Sequence, residues 1–176
     1  NYMANGKKYT MTHHDQVESI LIKIARNRVN CFLLGFPKCG TTSLMAWLAT
    51  SPDISTSLPK ETYAFCPEAG RPPLNFRFRS TKSKVFIEGT TLNIYSHALL
   101  TALTLKPCKC IIAIRHPADQ VTSWTNEVSI KQRKNLKSEF TYHARESETI
   151  DIDDTSEIGS LGTITQRWID ALGHEN

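Results

Sequence analysis

A glycine turn, residues 35–40, is the part of this sequence best suited to holding an anion. The apolar run before it predicts a buried strand, and an amphipathic helix is predicted after it, from Ser43 to about Thr50. Backbone N–H groups at the start of a helix bind anions, helped by the helix dipole. The spacing of Gly35 and Gly40 fits the first half of a P-loop, but Thr41 stands where that motif has its lysine, and the turn carries Lys38 instead. The pattern predicts a phosphate-binding turn that differs from an ordinary ATP or GTP site.

A second polar cluster follows the β-branched run Cys110–Ile114 and begins with Arg115. A Walker-type ATPase usually places an Asp at such a strand end, where it holds Mg²⁺. A cation at this point favours a second anionic group over a metal, and Ser123 lies one or two helical turns further on. Two separate anion sites on one edge of a sheet predict a nucleotide that carries phosphates at both ends of its ribose.

Strand and helix patterns alternate along the chain, which predicts a three-layer α/β/α fold with a central parallel sheet. The predicted strands are 30–35, 54–58, 84–88 and 110–114, and the predicted helices are 15–26, 43–50, 95–105, one that begins at Pro117, and 164–172. Ligands bind beyond the carboxyl ends of parallel strands. The glycine turn, Arg115 and a third polar position, Glu61, are therefore expected at one edge of the sheet.

The sequence predicts one domain with an N-terminal extension. Residues 1–14 are polar and aperiodic, which predicts an arm, and residues 15–176 form the predicted domain. Asp15 is the expected N-cap of the first helix, and Trp168 is expected on the apolar side of the last one. The Pro- and Arg-rich segment 66–80 and the polar segment 135–162 predict loops.

The amino-acid composition narrows the classes of ligand and partner that this chain is expected to bind. The 176 residues carry a net charge of +4, a mild basic excess that suits an anionic ligand but is far below a nucleic-acid-binding surface. No apolar run is long enough to predict a membrane-spanning helix. The five cysteines lack a zinc-site spacing and are interpreted as buried or incidental thiols, so no metal site is predicted.

Four segments together resemble the sulfotransferase family. Pro37–Leu44 resembles the 5′-phosphosulfate loop of sulfotransferases, and Arg115–Trp124 resembles their 3′-phosphate site, including the separation of eight between Arg115 and Ser123. Pro59–Phe65 is similar to the Lys-Glu element of the Golgi carbohydrate branch of that family. Glu88–Tyr95 is similar to the next block of that branch, although it lacks the usual Ser-Pro. The resemblance covers about residues 30–172 in consistent order and implies the P-loop-like sulfotransferase fold.

The resemblance also implies a reaction and a set of roles. The donor would be 3′-phosphoadenosine-5′-phosphosulfate, whose sulfuryl group passes to a hydroxyl or amine of an acceptor, with a carbohydrate as the expected acceptor. Glu61 would be the catalytic base, Lys60 would orient the acceptor or the sulfate, and Arg115 with Ser123 would clamp the 3′-phosphate. Residues of the turn and of the first helical turn would hold the 5′-phosphosulfate, with Lys38 also acting catalytically on the bridging oxygen: Lys38, Cys39, Gly40, Thr41, Thr42 and Ser43.

Several alternatives stay open at this point. A P-loop nucleotide kinase, or a module that binds a nucleotide or sulfated ligand without turnover, would use a similar turn. The family's C-terminal strand and its basic, glycine-rich loop would lie beyond residue 176, so the predicted domain is incomplete at that end. The acidic stretch Asp151–Asp154 favours a lightly charged or neutral acceptor. The compartment is undetermined: the Golgi lumen if an N-terminal anchor has been removed, and the cytoplasm otherwise.

Overall fold

A computed structural model describes residues 2–4, 7–9, 11–133 and 155–173. The strands are β1 (Tyr2–Ala4), β2 (Lys7–Tyr9), β3 (Cys31–Gly35), β4 (Ile54–Leu58), β5 (Arg77–Phe78), β6 (Val85–Glu88) and β7 (Lys109–Ala113). The α-helices are α1 (His13–Asn27), α2 (Thr41–Leu48), α3 (His97–Leu105), α4 (Pro117–Arg133) and α5 (Thr155–Leu172). Two short 3-10 helices lie at Pro67–Ala69 and Thr91–Tyr95.

Five of the strands form one sheet in the order β5-β4-β6-β3-β7. Strands β4, β6, β3 and β7 run parallel to one another, and β5 pairs antiparallel with β4. The strands β1 and β2 pair with each other in a separate antiparallel ribbon. The predicted α/β class with a largely parallel sheet is therefore confirmed. The carboxyl ends of β4, β6, β3 and β7 meet at one edge, where the glycine turn follows β3.

Both faces of the sheet are covered by helices. Alternate residues of β3 point to opposite faces because the side-chain period of a strand is two. Phe32 and Leu34 pack into a large cluster with side chains from α1, α3 and α5, while Leu33 packs with Met45 of α2. Trp168 of α5 is buried in the larger cluster, as predicted, and its indole N–H donates to the carbonyl of Ile94 at 2.8 Å.

The prediction for the start of α1 is wrong by two residues. Thr12 is the N-cap, and its hydroxyl accepts from the backbone N–H of Asp15 at 3.2 Å. The Asp15 carboxylate accepts in turn from the N–H of Thr12 at 2.9 Å, so Asp15 is the N3 member of a capping box. The hydrogen bond from the Thr12 backbone is the main cause that lowers the pKa of the Asp15 carboxyl.

Several other boundaries also differ from prediction. Helix α2 begins at Thr41 rather than Ser43, because Gly40 takes the N-cap position. The predicted loop 66–80 contains a 3-10 turn and β5. Helix α5 begins at Thr155 and so includes the last part of the predicted loop 135–162, while residues 134–154 lie outside the described residues.

Strand β7 is only partly buried along its length. It pairs only with β3 among the described strands, and Ile111 and the following Ile114 are exposed. In the described part of the chain, no helix is both long enough and apolar enough to cross a bilayer.

Candidate functional site

The glycine turn has the backbone conformation of an anion-binding nest. Lys38 and Gly40 are both left-handed, with φ of 69° and 81°, while Cys39 between them is not. Alternation of this kind turns successive backbone N–H groups toward one point. The turn is closed by a hydrogen bond of 3.1 Å from the N–H of Cys39 to the carbonyl of Phe36.

The first turn of α2 adds further donors to this nest. The N-cap Gly40 has no side chain, so no side-chain cap bonds to the first amides of the helix. The first N–H groups of a helix have no partner within the helix, and they carry the positive end of its dipole. The backbone amides of Thr41, Thr42 and Ser43 therefore lie where an anion would meet them.

Gly35 allows the turn to lie close to the sheet. A Cβ atom added at Gly35 would lie 2.6 Å from Cγ2 of Thr41 and 3.1 Å from Cβ of Ala113 on β7. Both distances are shorter than ordinary carbon–carbon contacts. The absence of a side chain at Gly35 thus sets how closely α2, β3 and β7 approach at the floor of the site.

The structure places Arg115 against the glycine turn. The register of β3 and β7 aligns Gly35 with Ala113, so the residues that follow the two strands are neighbours. The exposed guanidinium of Arg115 donates to the carbonyl of Lys38 at 3.3 Å. The Gln120 amide on α4 donates to the carbonyl of Pro37 at 2.7 Å, which fixes α4 to the same turn.

Helix α4 also supplies a carboxylate to the turn. The Lys38 ammonium forms an ion pair with Glu127, and both side chains are largely withdrawn from water, with 25% and 29% exposed. Gln120, Ser123 and Glu127 are spaced three and four residues apart, which puts them on one face of a helix. The half-buried Ser123 therefore lies on the face of α4 that contacts the turn.

Glu61 follows β4 and is held by donors from the segment after β6. Its carboxylate accepts from the N–H of Thr91 at 2.8 Å and from the Thr91 hydroxyl at 2.9 Å. It also forms an ion pair with Lys60, its neighbour in sequence. Glu61 remains about one-third exposed, at 31%. A carboxylate that is oriented on one side and open on the other can accept a proton from a bound acceptor.

Tyr63 lies beside Glu61 in a strained backbone conformation. Its φ of 54° is rare for a bulky residue, and such strain is concentrated at functional sites. Arg71 donates to the Tyr63 hydroxyl at 2.9 Å, and its guanidinium carbon lies 4.9 Å from the ring centroid. Burial raises the pKa of the Tyr63 phenol, while the positive charge of Arg71 opposes that rise.

The predicted residues form two groups on one edge. Lys38, Ser123 and Arg115 surround the glycine turn, whereas Lys60 and Glu61 lie beyond β6. Because β6 separates β4 from β3, the two groups follow strands that are about 10 Å apart. The site therefore has an anion-binding half near β3 and β7 and a carboxylate half near β4.

Two acidic residues of the site were missed by sequence reasoning. Glu127 contacts Lys38 from 89 residues away, and only its spacing of seven from Gln120 could have suggested that it faces the turn. Glu88 is the first residue of the segment Glu88–Tyr95, and the structure shows it fully buried at the end of β6. Burial raises the pKa of the Glu88 carboxyl, and hydrogen bonds from Thr90 and Thr62 oppose that rise.

The cysteines have no reactive environment at this site. Cys39 lies in the glycine turn, where burial raises its thiol pKa although Arg115 lowers it. Burial raises the pKa of Cys31 to about 11 and that of Cys110 to about 12. Thiols of this kind stay protonated at neutral pH, so they are poor nucleophiles. All five cysteines are free, and no cluster of three metal-ligating side chains occurs in the part of the chain that the structure describes.

No protein-family model matches the chain, and no curated protein matches it either. The function therefore has to be inferred from the chemistry of the site.

Proposed function

We propose that this chain is a domain with the sulfotransferase fold that transfers a sulfuryl group from 3′-phosphoadenosine-5′-phosphosulfate to a carbohydrate hydroxyl or amine. The observation that carries the proposal is the contact between Arg115 and the carbonyl of Lys38. It sets the guanidinium of Arg115 beside the backbone of the glycine turn, at the ends of the adjacent strands β3 and β7. A nucleotide that bears anionic groups at both ends of its ribose fits this arrangement, with one group in the nest and the other at Arg115.

The anion-binding half fits such a donor. The nest and the first turn of α2 offer backbone N–H groups to the 5′-phosphosulfate, and the hydroxyls of Thr41, Thr42 and Ser43 add neutral donors. Arg115 is exposed and can form charge-assisted hydrogen bonds to the 3′-phosphate, with Ser123 on the adjoining face of α4. A Cβ atom added at Gly40 would meet no atom within 4 Å, so the space beside this residue of the turn is open.

The donor supplies the sulfuryl group, and the chain supplies fixed charges and a base. The acceptor oxygen or nitrogen forms a bond to sulfur while the bond from sulfur to the bridging phosphate oxygen breaks. The electron pair of the broken bond leaves with 3′,5′-adenosine bisphosphate, and the acceptor proton goes to a Glu61 carboxylate oxygen. Lys38 and the nest stabilise the charge on the departing phosphate, as preorganised donors do in transition states.

A transfer assay tests the proposal. The chain is incubated with donor labelled in its sulfate and with three acceptors: a neutral glucosamine oligosaccharide, an unsulfated uronic-acid polysaccharide and 4-nitrophenol. We expect labelled saccharide from the wild-type chain, a loss of at least 100-fold in kcat for Glu61→Gln, and wild-type rates for Glu18→Gln, which removes an exposed carboxylate from α1.

The assay also separates the proposal from its rivals. Tight binding of 3′,5′-adenosine bisphosphate without transfer to any acceptor would indicate a non-catalytic binding module. Preferential binding of ATP with Mg²⁺, and phosphate transfer from it, would indicate a P-loop kinase. Transfer that is unchanged in Glu61→Gln would leave the sulfotransferase assignment intact and remove Glu61 as its base.

A further inference from the structure

A buried hydrogen-bond network lies directly beneath Glu61. Its centre is Glu88, whose side chain is fully buried at the carboxyl end of β6, between the strands that lead to Glu61 and to the glycine turn. Buried carboxyl groups are costly unless their oxygens are satisfied by donors. The donors around Glu88 therefore show what this residue holds in place.

Glu88 joins two segments of the chain. One carboxylate oxygen accepts from the hydroxyl of Thr62 at 2.8 Å and from the hydroxyl of Thr90. The other accepts from the side-chain amide of Asn93, and both oxygens lie 3.2 Å from the N–H of Thr90. Thr62 follows Glu61 in sequence, whereas Thr90 and Asn93 belong to the segment that follows β6.

The carboxylate also fixes the direction of both hydroxyl groups. Because each hydroxyl donates its hydrogen to Glu88, its lone pairs face the backbone. The Thr90 oxygen accepts from the N–H of Thr62 at 2.8 Å and from the N–H of Tyr63 at 3.2 Å. The Thr62 oxygen accepts from the N–H of Ala64 at 3.2 Å. The backbone immediately after Glu61 is thus bonded to the segment whose next residue, Thr91, holds the Glu61 carboxylate.

We infer that Glu88 is a positioning residue for Glu61, acting through Thr90 and Thr62. Glu88 does not touch the reacting atoms. It holds residues 61–64 and 90–93 at a fixed separation, so that the N–H and hydroxyl of Thr91 meet the Glu61 carboxylate and turn its open side toward the acceptor. The inference rests on the proposed function in that it takes Glu61 to be the base of the reaction.

The variants for the test follow from the network. Glu88→Leu removes both acceptor oxygens. Glu88→Gln keeps the oxygen that accepts from the two threonine hydroxyls. Its amide can donate to Asn93 when the Asn93 amide turns over, which brings the buried, unpartnered Oδ1 to the place of Nδ2. Thr90→Val removes the hydroxyl with little change of shape, and this variant provides the test if Glu88→Leu does not fold.

Kinetics provide the first measurement, with the labelled donor and the acceptor that the wild type uses best. We expect Glu88→Leu and Thr90→Val to lower kcat at least tenfold, with the acceptor KM and the affinity for 3′,5′-adenosine bisphosphate within twofold of wild type. Glu88→Gln should keep kcat within threefold. In a Glu61→Gln background, Thr90→Val should cause no further loss. A full additional loss in that background, or an equal loss of bisphosphate affinity, would overturn the inference.

Amide hydrogen exchange provides a measurement that does not depend on turnover. We expect the Thr91 and Tyr63 amides to exchange at least tenfold faster in Thr90→Val than in the wild type, while the Leu33 amide at the centre of β3 keeps its rate. Unchanged exchange at Thr91 would overturn the inference even if the chain is an active sulfotransferase. Faster exchange in a chain that transfers no sulfate would refute the proposed function, while still showing that the Glu88 network holds the segments around Glu61 in place.

Discussion

Replacing Glu127 by Gln is expected to tighten the binding of 3′,5′-adenosine bisphosphate. In the structure, the Lys38 ammonium is paired with the Glu127 carboxylate, and the two side chains are only 25% and 29% exposed. An anion in the glycine turn must either share this ammonium with Glu127 or displace the Glu127 carboxylate from it. Glu127 therefore opposes the binding that Lys38 favours.

The size of the effect follows from this geometry. An ammonium that donates to two anions holds their oxygens about 4.5 Å apart, since each charge-assisted hydrogen bond is about 2.8 Å long and the N–H bonds diverge at the tetrahedral angle. Two unit charges at that separation repel by about 3.5 kcal/mol at an effective dielectric constant of 20, and physiological salt screens roughly half of this. Release of Lys38 from its ion pair adds at most about 1 kcal/mol. The expected gain is about 2 kcal/mol, or about 30-fold in Kd.

Isothermal titration calorimetry measures this gain. The matched control is Asp53→Asn, which removes the carboxylate of another ion pair, that of Asp53 with Lys84 at 3.2 Å, at the amino-terminal edge of the same sheet. Asp53→Asn should leave the bisphosphate affinity within twofold of wild type. Weaker binding in Glu127→Gln would refute the reasoning, because it would mean that Glu127 orients Lys38 toward the nucleotide instead of competing with it.

Three further predictions concern the stability of the fold. Gly35→Ala should lower the free energy of unfolding by about 1–3 kcal/mol in urea titrations, because its Cβ would clash, whereas Gly162→Ala, with open space around it, should not lower it. Trp168→Phe should cost about 1–3 kcal/mol by leaving the buried Ile94 carbonyl without its donor, and a loss below 0.5 kcal/mol would contradict this. Because burial raises the pKa of the Glu88 carboxyl, its stabilising contribution is full below its usual value of 4.5 and is lost as pH rises through the folded pKa. The stability of the wild type relative to Glu88→Gln should therefore fall with pH, by at most about 1.4 kcal/mol per pH unit, and a rise would contradict the burial argument.

The elements around the site could be predicted where local pattern decides the structure. Strand β4 begins and ends at the predicted residues, and β3 differs by one, because short apolar or β-branched runs between turn signals specify strands directly. Pro117 begins α4 as predicted, since proline suits the first turn of a helix. These elements also fixed the common edge on which the glycine turn, Arg115 and Glu61 lie.

The remaining differences between the predicted and the observed structure depend on tertiary contacts and backbone conformation, which the local sequence pattern does not specify. The β-branched sequence of β7 specifies a strand but not whether that strand lies at the centre or the edge of the sheet. The first helical residue of α2 depends on the left-handed conformation of Gly40, which a P-loop-like spacing does not fix. Contacts such as that of Glu127 with Lys38, 89 residues apart in sequence, depend on how α4 packs against the turn.

Calorimetric titration of the wild type and of Arg115→Ala, each with 3′,5′-adenosine bisphosphate and with AMP, tests the central claim most directly. The two ligands differ only in the 3′-phosphate that Arg115 is proposed to hold. We expect the wild type to prefer the bisphosphate, and Arg115→Ala to weaken its binding about 10- to 100-fold, as the loss of a charged hydrogen bond does, while AMP binding stays within twofold. Equal losses for both ligands, or no preference for the bisphosphate in the wild type, would contradict the claim that two anion sites hold opposite ends of one nucleotide.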